Sequence, residues 1–360
     1  MIRNRNAIRL LCLFCLLVYP AINANLEAQT IIGQRNDSVS HSLIRHQLGF
    51  DIRPGYIVST HSFLQGDNAR QKKIDQSLSF HFKYAFRFSK ESNLGRLFPH
   101  TYQGIGVSYH TFFSPAELGN PVSVYVFQGS RIAQLSPRLS FDYEWNFGAS
   151  FGWKKYDELS NPQNVLIGSK INAYINLGFL LNWQVHKYWK LAAGVDLTHF
   201  SNGNTHYPNG GLNVIGGRIG IVRTLGETDE AAGSITPGRL FIKPHVSYDL
   251  VIYGATRKRG LIGDDVSSMI PGSFGVAGIN FAPMYNFNNY FRAGLSADAQ
   301  YDESANLKEY RVGEFYSSDL KFHRPPFRKQ FAMGLSLRAE LVMPVFSINV
   351  GVGRNLIYSG

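Results

Sequence analysis

Cysteine is almost missing from this chain. Cys12 and Cys15 are the only two among 360 residues, and both fall within the first two dozen positions. The remainder therefore holds no disulfide and no cysteine-ligated metal, so its stability must come from packing and hydrogen bonding. Long apolar runs are equally scarce. Leu10–Tyr19 is the one sustained run, and it falls short of the ~20 residues a helix needs to cross a bilayer. Acidic residues are outnumbered, 25 Asp and Glu against 36 Lys and Arg, which leaves a formal charge of +11. The densest basic cluster is Arg257, Lys258 and Arg259. Basic loops of this kind could meet the phosphates of lipopolysaccharide, though a solvated loop accounts for the same run without any partner. The chain has no nucleic-acid-binding motif, and its histidines lack metal-ligand spacing. Neither nucleic acid, nor a metal, nor an organic cofactor is expected.

The N-terminus looks like an export signal. Arg3, Arg5 and Arg9 precede the apolar run, and Pro20 with the small residues Ala21 and Ala24 follows it. This pattern predicts a signal peptide over residues 1–24, with cleavage after Ala24 or Ala28. Neither cysteine sits where a lipoprotein would carry its lipid. Residues 25–45, polar and aperiodic across Gln29–Ser40, are expected to be a flexible stretch.

What the chain has in abundance is aromatics and alternation. It carries 26 Phe, 19 Tyr, 4 Trp and 35 Gly, with a mean hydropathy of only −0.14. In Ser77–Phe88, Leu78, Phe80, Phe82, Tyr84, Phe86 and Phe88 share one parity against Ser77, Ser79, His81, Lys83 and Arg87. Arg138–Lys154 repeats the pattern, with Phe141, Tyr143, Trp145 and Phe147 against Asp142, Glu144 and Asn146. Neighbouring strand side chains point to opposite faces, so each segment is a strand with one apolar wall. Asp142 and Glu144 resemble a paired-carboxylate site, but a polar lumen explains them as well. A soluble sandwich would not bias one parity so consistently toward aromatics. The expectation is an all-β fold, a transmembrane antiparallel β-barrel of about 12–14 strands over residues 46–360 in a Gram-negative outer membrane. The final residues, Leu356–Gly360, lack the aromatic end of a closing strand, as in a chain shortened at its C-terminus or an atypical barrel. The short connection His186–Lys187 and the longer Tyr156–Gly168 and Asn202–Gly211 place the strand end near residue 200 at the outer surface. The polar stretch Gly226–Gly238 falls on the opposite side in that scheme.

One strand breaks its own rule. Trp189, Leu191, Ala193, Val195 and Leu197 share the apolar parity, and then His199 and Ser201 take it over while Phe200 takes the polar one. Farther on, Asn213 shares a parity with Ile215, Gly217, Ile219 and Ile221. A hairpin joining the two segments puts His199, Ser201 and Asn213 together on the outer wall. An ester hydrolase needs a hydroxyl nucleophile, a base within reach and a group that fixes the base. Asp196 lies on the other parity and suits none of these roles.

The segment His199–Asn213, HFSNGNTHYPNGGLN, resembles the lipid A 3-O-deacylase (PagL) family, related to acyloxyacyl hydrolases. In that family a His-x-Ser pair lies on the outer barrel wall. An Asn follows the Ser, a Pro-Asn pair comes seven and eight residues after it, and a Glu twelve. His199, Ser201, Asn202, Pro208 and Asn209 match, whereas Asn213 replaces the Glu. The best-known members are much shorter than this chain. The resemblance implies an outer-membrane hydrolase acting on an acyl ester of lipopolysaccharide among outer-membrane lipids. Ser201 would be nucleophile, His199 base and acid, and Asn213 orienter. Asn202, Gly203 and Asn209 are the expected oxyanion and substrate-binding donors, with His206 close to substrate. The rival expectation is a non-catalytic barrel, a pore or an adhesive protein, that retains the hairpin. A homodimer is left open.

Overall fold

Period-two alternation builds strands with one hydrocarbon-like and one polar face, and such strands dominate the computed structural model. It describes residues 44–90, 92–203, 205–226, 240–262, 267–270, 272–312, 321–343 and 347–357. The expected signal peptide and nearly all of the stretch 25–45 lie outside those residues. Eight antiparallel strands close into a barrel. They are β1 (Ile44–Ile57), β2 (Gln76–Phe88), β3 (Tyr102–Thr111), β4 (Gly119–Ser136), β5 (Leu139–Trp153), β6 (Ile171–His186), β7 (Trp189–Ser201) and β8 (Leu212–Leu225). Closure is made by β1 on β8, with His46 opposite Leu225 and Ile57 opposite Val214. Two-residue turns at 137–138 and 187–188 lie at one end of the barrel. The long connections 58–75, 154–170 and 202–211 lie at the other.

The wall has the inverted polarity of a membrane barrel. Phe82, Val107, Val124, Leu197 and Ile219 are exposed on its outside, while Asp51, Arg53, Lys83, Glu144, Asp196 and Arg218 are buried inside. These six form a charge-balanced network. Arg53 lies 2.9 Å and Lys83 2.8 Å from Asp51, Lys83 lies 3.1 Å from Glu144, and Arg218 pairs with both Glu144 and Asp196. Buried charges are tolerated only when paired in this way. An eight-stranded barrel has room inside for side chains and little else. The cavity lined by Lys83, Asp142, Glu144 and Arg218 measures about 50 Å³. Asp142 and Glu144 are lumen residues: Asn182 donates to Asp142 at 2.9 Å, and Glu144 belongs to the ion network. Toward the long loops the filling turns apolar, with Phe63, Phe112, Trp153, Tyr174, Phe200 and Leu212 buried in one cluster.

The rest of the chain corrects the expected strand count for the barrel. A second, open sheet has the order β17-β16-β13-β12-β9. Its strands are β9 (His245–Arg257), β12 (Phe274–Asn286), β13 (Phe291–Asp302), β16 (Phe331–Val342) and β17 (Ser347–Ile357). Two small hairpins interrupt the series, β10 (Gly260–Ile262) with β11 (Ser267–Met269), and β14 (Arg311–Val312) with β15 (Lys321–Phe322). The described residues thus hold thirteen strands of ten or more residues, in keeping with the total expected. Only eight of them enclose a lumen, because β8 pairs back onto β1 before the second set begins. Residues 46–360 are therefore not one barrel. The polar stretch Gly226–Gly238, mostly outside the described residues, follows the barrel's last strand and needs no place in its alternation.

The second sheet also has an apolar face (Leu250, Ile252, Leu295, Leu337, Val350) and a polar one, where Arg292 pairs with Asp249 and Glu340. It meets the barrel at the short-turn end. The Leu240 N–H donates to the Arg96 carbonyl at 3.3 Å, Asn289 Nδ2 donates to the Leu97 carbonyl at 3.1 Å, and Tyr143 Oη lies 2.9 Å from Met343 Sδ.

Candidate active site on the outer wall

The odd parity of β7 is explained by what fills the barrel at that level. Phe200 is 1% exposed, its ring 5.0 Å from Trp153 and 5.2 Å from His110. The lumen there is an aromatic plug, so the inward position calls for a phenylalanine. His199 and Ser201 are thereby turned outward, each half-buried.

Across the hairpin, His199 pairs with Asn213 and Phe200 with Leu212. His199 Nδ1 lies 2.7 Å from Asn213 Oδ1. An amide oxygen only accepts, so Nδ1 carries the proton and Nε2 is left as the base. Ser201 stands on the same face two residues along, roughly 7 Å by strand geometry. No hydrogen bond joins it to His199 among the described residues. Catalytic hydrogen bonds are often long or poorly aligned before substrate binds. Asp196 points into the lumen and is held by Arg218.

The loop 202–211 is tied by its own asparagines. Asn209 Oδ1 accepts from the Asn202 N–H at 2.9 Å, and Asn202 Nδ2 donates to the His206 carbonyl at 2.9 Å. These bonds engage Asn202, one of the expected oxyanion donors, within the loop itself. Its backbone N–H and one of its two side-chain amide hydrogens are engaged inside the loop, the competition that Asn commonly sets up with nearby backbone groups. Gly203, at φ 63°, faces open space, and its N–H has no acceptor among the described residues. His206 is exposed on the same loop. Its imidazole is held below the ordinary histidine range by partial burial, then by the charges of Lys258 and Lys155.

Two supports had no place in the sequence expectations. Gly211 adopts φ 71°, which favours glycine, and a Cβ built on it would lie 3.1 Å from His199 Cε1, so any side chain there would press the imidazole aside by a few tenths of an ångström. The loop 154–170 holds that glycine pair, with the Gly210 and Gly211 N–H groups donating to the carbonyls of Val165 and Leu166 at 3.1 and 3.2 Å. The Gly-Gly dipeptide before β8 was the signal available. It reads as an ordinary turn until the ring is seen beside it. Among the described residues no group of three or more His, Cys, Asp or Glu side chains could hold a metal.

Residues 53–222 match the family described as lipid A 3-O-deacylase (PagL), and residues 246–360 match the acyloxyacyl hydrolase C-terminal domain. The gap between the two matches falls where the barrel gives way to the second sheet. No curated protein matches the chain. Among solved structures it is similar to Neisserial surface protein A, at 8% identity over 49% of this chain and 96% of that one, with a TM-score of 0.33. It is also similar to the outer membrane protein AlkL, at 10% identity over 57% of this chain and 99% of that one, with a TM-score of 0.28. The N-terminal barrel of Pseudomonas aeruginosa OprF matches at 8% identity over 49% and 96%, with a TM-score of 0.28.

Proposed function

Because the chain belongs to the lipid A 3-O-deacylase (PagL) family, we propose that it hydrolyses an ester-linked acyl chain of lipid A on the outside of its barrel, with Ser201 as nucleophile. The observation that carries this is the 2.7 Å contact between His199 and Asn213 on the lipid-facing wall. A histidine whose Nδ1 proton is fixed from across a hairpin presents Nε2 as a base toward the membrane side. A purely structural polar pair would need no such aim.

His199 Nε2 takes the Ser201 proton as Oγ attacks the ester carbonyl carbon. The tetrahedral intermediate collapses, the sugar oxygen leaves with the proton from His199, and the acyl group stays on Ser201. Water, deprotonated by the same imidazole, then releases the fatty acid and restores the serine. The Gly203 N–H and the Asn209 side-chain amide are the donors for the oxyanion. One such donor is typically worth ~3 kcal/mol. The outward position suits the substrate, since an acyl chain lying in the outer leaflet reaches this wall without entering the barrel. The plugged lumen argues against a pore.

The test is to incubate purified protein in detergent with lipopolysaccharide and read the lipid A by mass spectrometry. Loss of one acyl mass is expected from the wild type and none from Ser201→Ala. No loss in the wild type, or equal loss in both, refutes the assignment.

A further inference from the structure

One side chain sets the shape of the loop 154–170 where it backs the candidate site. Asn164 is fully buried although it lies in a connection between strands. A buried amide must give both N–H donors and both oxygen lone pairs to partners. Asn164 does so completely. Its Nδ2 donates to the carbonyls of Glu117 and Lys154, each at 2.9 Å. Its Oδ1 accepts from the N–H groups of Leu166 and Ile167, each at 3.1 Å. The β3–β4 connection, the end of β5 and the segment 165–167 are thus joined through a single residue.

That segment carries the two carbonyls that hold the site. Val165 and Leu166 accept from the N–H groups of Gly210 and Gly211, and the His199 ring lies against Gly211. The two loops also abut at Gly168, where an added Cβ would lie 2.3 Å from the Pro208 carbonyl oxygen. Asn209 is therefore gripped on both sides, at Pro208 and at Gly210. The path from Asn164 to the imidazole is short. It runs through the Leu166 N–H, the Leu166 carbonyl and the Gly211 N–H, and ends in the contact of Gly211 with the ring. All four side-chain bonds of Asn164 go to backbone groups, so it acts on the site only through that path.

We propose that Asn164 is a positioning residue for the acyl transfer, holding the base His199 and the oxyanion donor Asn209 in register through the backbone of loop 154–170. The inference rests on the deacylase assignment. A misplacement of about 1 Å at reacting groups costs on the order of a hundredfold in rate. Aspartate keeps the shape of asparagine but, once ionised, lacks donors and sets an oxygen against two carbonyls. Asn161 is the matched control. Its Nδ2 donates to the same Glu117 and Lys154 carbonyls, at 2.9 and 3.4 Å, and to the Lys155 carbonyl. Among the described residues its side chain makes no bond to 165–167.

The test uses the full chain as wild type, Asn164→Asp, Asn164→Ser and Asn161→Ala. Deacylation of lipid A gives kcat and KM. NMR of isotope-labelled histidines gives the exchange of the His199 Nδ1 proton with water, assigned through His199→Gln. Asn164→Asp is expected to lower kcat about ten- to a hundredfold while KM stays within about twofold. The same variant should speed the exchange about tenfold or more, as the ring loosens from Asn213. Asn164→Ser, which keeps a hydroxyl donor and acceptor, should fall between it and the wild type. Asn161→Ala should leave kcat and exchange near their wild-type values. Unchanged kcat or unchanged exchange in both Asn164 variants overturns the proposal. An equal fall of kcat in Asn161→Ala also overturns it, since the loop would then serve only as a prop. If the wild type hydrolyses nothing, the deacylase assignment fails by itself, and the exchange still decides whether Asn164 holds the imidazole.

Discussion

Asn213 sits opposite His199, where, in the proposed acyl transfer, an acid would stabilise the imidazolium. Its Oδ1 fixes the ring, at 2.7 Å from Nδ1, but it brings no negative charge. Orientation and charge are therefore separable here by one atom. Asn213→Asp keeps the side-chain length and replaces the amide nitrogen with a second carboxylate oxygen. The expected outcome is a rise in kcat of at least tenfold, followed by fatty-acid release from lipid A. Loss of the acid in a serine protease triad costs about 10⁴-fold in turnover, though there the tautomer was also disturbed. An unchanged rate would mean that another group supplies the charge.

At the scale of the element, the β7–β8 hairpin works as a clamp. Phe200 is anchored in the aromatic plug, Asn202 and Asn209 tie the loop, and the carbonyls of Val165 and Leu166 hold its end. The imidazole lies against Gly211, where φ is 71°. Gly211→Ala would put a methyl group against Cε1 and would strain the backbone by about 1 kcal/mol or more. The prediction is a fall in kcat of at least tenfold, with a drop in the midpoint of urea unfolding in detergent of no more than the roughly 1 kcal/mol of strain implies. A variant that loses stability but keeps full kcat would show that the glycine serves only the turn. The parity inversion of His199, Phe200 and Ser201 was legible because alternation is local. The roles of Asn202 and Gly211 were not, because they depend on which backbone groups the folded loop leaves free and on where a ring comes to rest.

For the whole molecule, the barrel is held from inside by balanced charges. Arg218 is fully buried and bridges Glu144 and Asp196. Arg218→Ala leaves two carboxylates in the lumen without their main cation. Breaking a buried pair in this way typically costs about 3–5 kcal/mol. The expected result is a matching loss in unfolding free energy, measured by denaturant titration in micelles. A loss below about 1 kcal/mol, the scale of an exposed pair, would show that water reaches the network.

By itself the sequence determined the strands, their inward and outward faces, the exclusion of disulfides, and the shared outward face of His199 and Ser201. The exclusion of disulfides follows from a cysteine count of two near the N-terminus, and the rest from side chains that alternate along a single strand. Only the tertiary structure decided that eight strands close while five form a separate sheet. Closure rests on β1 meeting β8, as in the pairing of Ile57 with Val214, and period-two alternation carries no record of a partner so distant along the chain. The same holds at the candidate site. Parity could show that His199 and Asn213 share the outer wall, but only the folded hairpin could bring His199 Nδ1 to 2.7 Å from Asn213 Oδ1 and set Gly211 against the ring.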